Sequence, residues 1–341
     1  MFRINTILVV GLGNIGKRYI CILRKQHPAV KLIVLRHKEC NDIDIEKFGL
    51  TGCVTTVEQA LKFKPDAAII ATPATKHIDV ALILAKATVP LLIEKPISAT
   101  SDDVMSLINI CQSKKIALMT AYNLRFQPSL QEFRKQIKQQ RIGKILSVRV
   151  EVGQYLPNWR PESDYRKGVS AQKNLGGGVL LELSHEIDYI SWIFGDYKWV
   201  KAHISKQSNL EIDVEDSANI VFGIDSDSNN EIVVSLNMDF VRHDNIRQCI
   251  AVGDEGSLRW DGIKGEVAWF SKESKEWDVI FLQLTERNYT YEKEIESFFS
   301  AIEKEEVISI TGEDGLKTVR VIEAIHQSHQ SNGMVILQCR C

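Results

Sequence analysis

The sequence predicts an α/β amino-terminal domain on a parallel sheet, followed by an α+β domain on a largely antiparallel open sheet. Two features carry that expectation. Over residues 1–122, short runs that are apolar throughout alternate with helical stretches, the pattern of strands covered by helices on both faces. Beyond residue 122 the alternation stops, and strand-like runs recur between Gly, Asp, Asn and Ser turns. The chain therefore divides into 1–122 and 123–341, and 341 residues suffice for two cores.

In order, 6–10 reads as a strand, and 15–26 as a helix in which Ile15, Tyr19, Ile20, Ile22 and Leu23 recur near helical spacing. Strands at 31–35, 66–71, 91–93 and 116–120 alternate with helices at 58–64, 77–86 and 101–113. The second domain reads as a helix over 128–139, then strands at 145–152, 218–223, 232–240, 247–252, 257–260 and 266–270. Helices at 179–193, 289–304 and 312–329 interrupt and close that set, and 225–230 reads as a hairpin loop. Alternation over 232–238 suits a sheet with an apolar face to cover, and so an assembly of copies.

Composition narrows the function. Apolar residues make up 44%, charged residues 25%, and the formal charge is -2, so no basic surface for a nucleic-acid backbone is expected. No run reaches the roughly 18 to 20 apolar residues of a bilayer span, and residues 1–6 lack a cleavable leader pattern. Seven scattered cysteines without a CxxC pair read as reduced thiols of a cytoplasmic protein, with Cys339 and Cys341 exposed enough to cross-link in air.

The stretch ILVVGLGNIGKRYI, residues 7–20, places Gly11, Gly13 and Gly16 between a strand and a helix. In that context GxGxxG is a dinucleotide cradle: one glycine permits the turn, one admits the pyrophosphate, and one allows close helix–strand packing. Asn14 and Ile15 begin the helix whose unpaired N–H groups meet the phosphates. The second strand ends in Leu35, Arg36, His37 and Lys38, without the carboxylate that usually takes ribose hydroxyls. Cations there suit a 2′-phosphate, so NADP is favoured over NAD; Arg36 stacked on adenine or in water is the alternative.

Glu94-Lys95-Pro96 follows the strand at 91–93, and strand carboxyl ends border the ligand crevice of such sheets. Lys95 there would stabilise a developing alkoxide. Hydride transfer at a carbinol carbon also needs a group that exchanges a proton near neutrality, for which His185, after Gly176-Gly177-Gly178, is the candidate. Glu182 and Asp188 are its helical neighbours, either able to fix its tautomer. No metal set is apparent. Trp159, Arg160, Tyr165 and Arg166 bring aromatic faces for sugar rings and forks for carboxylate or phosphate. Asn123 and Arg125 join the substrate set from just after the strand at 116–120.

Taken in order, Gly11-Leu12-Gly13-Asn14-Ile15-Gly16, Ala71-Thr72-Pro73 with His77, Glu94-Lys95-Pro96, Asn123-Leu124-Arg125-Phe126 with Pro128, Gly176-Gly177-Gly178 with His185 and Asp188, and Gly312-Glu313-Asp314-Gly315-Leu316 form one set. That set resembles the glucose-fructose oxidoreductase, inositol dehydrogenase and MocA family of NAD(P)-dependent oxidoreductases over nearly the whole chain. Tyr155-Leu156-Pro157, Trp159-Arg160-Pro161 and Asp164-Tyr165-Arg166 are similar to a branch associated with cell-surface sugar synthesis. The resemblance implies a Rossmann domain whose cofactor contacts add Ala71, Thr72, Pro73, His77, Glu94, Lys95 and Pro96, with Pro96 in cis. It gives Lys95 and His185 the catalytic roles. An aspartate usually four residues before the histidine is Leu181 here, which leaves Glu182 or Asp188 to support it.

The combined reading is an NAD(P)-dependent oxidoreductase of a sugar-like substrate, a sugar acid or sugar nucleotide, acting as a dimer or tetramer. The alternative is a dinucleotide-binding regulatory or scaffold protein without turnover.

Overall fold

The computed structural model describes residues 4–40, 45–225, 231–304 and 306–337. Residues 226–230 of the loop expected over 225–230, and Cys339 and Cys341, lie outside them, whereas Asp225 is in a strand. In chain order the elements are β1 (Thr6–Val10), α1 (Asn14–Gln26), β2 (Lys31–Leu35), β3 (Gly52–Val54), α2 (Val57–Leu61), β4 (Ala67–Ile70), α3 (His77–Lys86), β5 (Leu91–Glu94), α4 (Val104–Lys114) and β6 (Leu118–Ala121). There follow α5 (Pro128–Lys138), β7 (Ile145–Gly153), α6 (Val179–Glu182), α7 (His185–Phe194), β8 (Asp196–Ser205), β9 (Ser217–Asp225), β10 (Glu231–Asp239) and β11 (Ile246–Gly253). The chain closes with β12 (Gly256–Asp261), β13 (Glu266–Ser271), β14 (Trp277–Leu282), α8 (Tyr289–Glu303), α9 (Gly312–Ser331) and β15 (Val335–Ile336).

Contacts divide the chain differently from the expected cut at residue 122. One unit holds 1–123 and 288–319, the other 124–287 and 320–341. The late segment joins the first unit because its side chains pack there: the His27 and Phe299 rings meet edge-on at 5.2 Å, and Lys25 pairs with Glu292 at 3.5 Å. These contacts link residues more than 250 positions apart, which local periodicity does not reveal.

In the first unit six parallel strands run in the order β3-β2-β1-β4-β5-β6. Every residue of β1, β4 and β5 is buried, as fully apolar strands between helical layers require. The order reverses between β1 and β4, the switch point at which such sheets bind ligands beyond their strand ends.

The second unit is a nine-stranded sheet, β14-β13-β12-β11-β7-β10-β9-β8-β15, antiparallel except that β10 runs parallel to β7. One face packs on α5, α6 and α7: Leu130, Phe133, Ile187 and Ile190 join Val148, Val150, Val234 and Leu236 in one core. The alternation over 232–238 is resolved by this packing. Ile232, Val234, Leu236 and Met238 point into the chain's own core, leaving Val233, Ser235 and Asn237 outward.

Not all the cysteines are reduced thiols, contrary to expectation. Cys40 and Cys53 form a disulfide, while Cys21, Cys111 and Cys249 are free. Parallel pairing of Leu35 with Val54 and Val34 with Cys53 brings the chain after β2 beside β3, and the two Cα atoms are 6.0 Å apart. Their sequence separation of 13 carried no signal of it. Closing a loop of roughly 15 residues stabilises by about 3 kcal/mol in the chain-entropy account. Cys53→Ser is therefore expected to lower the calorimetric transition of the first unit and to abolish its response to reductant. A reductant response that persists in the variant contradicts this. Among the described residues no helix is long and apolar enough to cross a membrane.

Candidate active site

The glycine turn joins β1 to α1. Gly11 adopts φ +95°, and its N–H donates to the Leu35 carbonyl at 2.8 Å, tying the turn to the end of β2. A Cβ at Gly11 would stand 2.7 Å from the Ala71 carbonyl oxygen, and one at Gly16 would collide with the Gly11 carbonyl. Both are excluded by the chain itself. Gly13 differs: it caps α1 at φ -74°, which any residue adopts, and a Cβ there meets nothing within 4 Å. Space stands open where the uncapped helix N-terminus points its N–H groups, so the turn fits a pyrophosphate. Asn14 and Ile15 open the helix, and Arg36 and His37 follow β2. Gly13→Val is expected to weaken dinucleotide binding by at least about tenfold without changing the unfolding midpoint; equal affinity by calorimetric titration would falsify the assignment.

Ala71, Thr72 and Pro73 lie beyond the end of β4. His77, expected among the cofactor contacts, has a local task as well. It is buried, with Nδ1 3.0 Å from the Pro96 carbonyl oxygen and Nε2 2.8 Å from that of Thr72. Burial pushes its pKa down, and a neutral ring donates to only one of these acceptors at a time. His77 thus staples the turn after β4 to the one after β5. The Lys95–Pro96 peptide is cis, and Glu94 Oε2 accepts the Lys95 backbone N–H at 3.1 Å. Asn123 is buried and donates to Thr290 Oγ1 at 3.0 Å, within the same unit.

In the second unit the expected helix over 179–193 is broken at Leu183 and Ser184, so His185 opens α7. Glu182 therefore does not stand one continuous helical turn before it; its Oε2 accepts the Ser170 hydroxyl at 2.7 Å. Asp188 takes part in a buried ion pair. Arg125 grips it with Nε at 2.9 Å and Nη2 at 2.6 Å, both residues being buried. The Arg125 fork thus meets a carboxylate of its own unit. The buried Glu186 is matched likewise by Arg247 at 2.8 Å. Sequence spacing missed both pairs, since each joins residues about 60 positions apart.

Gly176-Gly177-Gly178 is pinned rather than slack: Gly177 and Gly178 donate to the Gln172 and Ser170 carbonyls at 3.0 and 3.2 Å. In the aromatic and cationic loop, Trp159 donates to the Gln154 carbonyl at 3.2 Å and sets its ring edge-on to Phe240. Arg160 is half-buried, and the Tyr165 hydroxyl accepts the Glu211 N–H at 3.3 Å. Arg166 is exposed and held by Asp164 at 2.8 Å and Glu211 at 2.9 Å, which raise its already high pKa. An incoming anion would have to displace those carboxylates. Among the described residues no group of three or more His, Cys, Asp or Glu is placed to hold a metal ion.

Residues 5–122 match an oxidoreductase family's NAD-binding Rossmann fold, and 134–337 match that family's C-terminal alpha/beta domain. The chain belongs to the GFO/IDH/MocA oxidoreductase family. It is therefore an NAD(P)-dependent oxidoreductase. This oxidoreductase is 25% identical to inositol 2-dehydrogenase of Rhizobium meliloti over 82% of its own length and 84% of that protein's. It is 29% identical to levoglucosan dehydrogenase of Pseudarthrobacter phenanthrenivorans, in an alignment spanning 52% of this chain and 46% of the relative. Among solved structures, it is similar to levoglucosan dehydrogenase in complex with NADH (TM-score 0.83, 21% identity, 98% and 99% of the chains covered). It also shares its fold with the WlbA dehydrogenase of Bordetella pertussis in complex with NADH and UDP-GlcNAcA (TM-score 0.82, 19% identity, 99% and 100% covered).

Proposed function

We propose that this oxidoreductase moves a hydride between a nicotinamide dinucleotide and a hydroxyl or keto carbon of a sugar-like substrate, a sugar acid or sugar nucleotide. The observation that carries the reading is the placement of Lys95: it leaves the carboxyl end of β5, two strands from the glycine turn, where ligands of such sheets bind. Bound nicotinamide supplies or accepts the hydride. The residues assigned to hold the dinucleotide are Gly11, Gly13, Asn14, Ile15, Gly16, Arg36, Ala71, Thr72 and Pro73. The Lys95 ammonium stabilises the oxygen that gains charge at the carbinol, and His185 exchanges the hydroxyl proton. An inositol dehydrogenase, a levoglucosan dehydrogenase and a dehydrogenase in complex with UDP-GlcNAcA among the similar proteins support the substrate class. The test is nicotinamide absorbance with purified protein against free polyols, anhydro sugars, sugar acids and UDP-linked sugars. Nucleotide binding without turnover on any of them would favour a non-catalytic binder.

The cofactor is NADP or NAD, with NADP favoured because Arg36, His37 and Lys38 follow β2 and no carboxylate precedes Glu39 there; the similar structures named above hold NADH. Arg36→Ala is expected to lower NADP affinity about tenfold and NAD affinity little, as loss of a charge-assisted hydrogen bond would. Equal losses, or tighter binding of NAD by the unaltered protein, rule out the phosphate clamp.

A homo-oligomer, a dimer or tetramer, belongs to the same reading. Val221 and Val233 are 38% and 42% exposed on the outward face of the nine-stranded sheet, which still has one side to cover. Light scattering at the monomer mass of 38.6 kDa would remove this part of it.

A further inference from the structure

The first unit buries two carboxyl groups on one phenol. Tyr19 Oη lies 2.8 Å from Glu94 Oε1 and 2.9 Å from Glu294 Oε2, and none of the three side chains reaches solvent appreciably. A phenol has one proton to donate, and ionised carboxylates only accept. Both short contacts are hydrogen bonds only if one carboxyl brings a proton of its own.

The surroundings decide which one. Glu94 accepts the Lys95 N–H with its second oxygen, and the charges of Lys95 and Arg18 favour its anion. Glu294 Oε1 is buried without a hydrogen-bond partner, and the charge facing Glu294 is that of Glu94. Tyr291 closes the cluster, its ring edge-on to Tyr19 at 5.8 Å with the Arg18 guanidinium over it at 4.8 Å. Burial raises both carboxyl pKa values.

We infer that Glu294 is a permanently protonated positioning residue: it donates to Tyr19, Tyr19 donates to Glu94, and the ionised Glu94 holds the backbone of Lys95. No proton is transferred in this arrangement; it orders a directional chain of hydrogen bonds that ends at the residue assigned to the reacting oxygen. Its bearing on catalysis rests on the role given to Lys95 above. The hydrogen-bond chain itself does not.

The full-length protein, with and without NADH, provides the test. Infrared spectra at neutral pH should show the carbonyl stretch of a buried carboxylic acid, absent in Glu294→Gln and present in Glu94→Gln. The amide introduced by Glu294→Gln can donate to Tyr19 as the neutral acid does, so exchange of the Lys95 amide proton should remain slow in that variant. In Tyr19→Phe and Glu294→Ala it should quicken on the order of fivefold to a hundredfold, as for a lost buried hydrogen bond. A group whose folded pKa is raised stabilises below its unfolded pKa and loses that contribution as pH rises through the folded one. Glu294→Gln should therefore gain thermal stability over the unaltered protein as pH rises above the ordinary carboxyl range. An acid band that survives Glu294→Gln, or Lys95 exchange unmoved by Tyr19→Phe, overturns the inference. Undiminished turnover of Lys95→Ala would instead remove the role of Lys95 and leave the chain of hydrogen bonds standing.

Discussion

His185→Ala is expected to bind nicotinamide dinucleotide as the unaltered protein does and to lose turnover on the order of 100- to 10,000-fold, the usual contribution of a positioned general acid or base. The nucleotide contacts proposed above all belong to the first unit, whereas His185 opens α7 in the second. Binding and chemistry should thus separate cleanly. Lys95→Ala should lose comparable transition-state stabilisation, since an ammonium at the reacting oxygen acts mainly in the transition state. The glycine turn should survive that change, because Glu94, Pro96 and His77 fix the backbone around Lys95 and its side chain is only half-buried. Glu182→Gln tests the supporting carboxylate. The Ser170 hydroxyl that Glu182 accepts remains accommodated by the amide oxygen, so a loss of turnover would report on the charge. Wild-type turnover in folded His185→Ala would reject its role as the proton carrier.

The largest stability effect is expected at Asp188. Asp188→Ala leaves the Arg125 guanidinium buried without its carboxylate, and breaking such a pair costs about 3 to 5 kcal/mol. The measurement is selective, because all six tryptophans, at 159, 192, 199, 260, 269 and 277, lie in the second unit and their fluorescence follows its unfolding. Trp192 itself lies beside the pair, with the Arg125 guanidinium 5.6 Å from its ring. Replacing both partners together with apolar residues of similar size should recover most of the loss, since the penalty comes from the orphaned charge more than from the missing attraction. A denaturant midpoint that barely moves in Asp188→Ala would mean that water reaches Arg125.

Local physics made the first sheet legible from sequence. Strands buried on both faces must be apolar throughout, and the turn at Gly11 and the close packing at Gly16 exclude a side chain while Gly13 leaves an open approach. The ordered motifs, from the glycine turn to the segment at 312–316, led to the family as a set. Less was legible in the second sheet, where β8, β14 and β15 went unseen. Exposed and half-buried residues predominate in β14, so its apolar pattern is faint.

What the sequence by itself determined was the class of each half, the nucleotide turn and the candidacy of Lys95 and His185, because periodicity and turn chemistry act between near neighbours. Only tertiary structure decided the partners of the charged groups. Arg125 closes on Asp188, Glu94 and Glu294 share Tyr19, Cys40 reaches Cys53, and residues 288–319 return to the first unit. The physical reason is burial. A charge or thiol enclosed in the fold is governed by whatever stands within a few ångströms, and in this chain that neighbour is often far away in sequence.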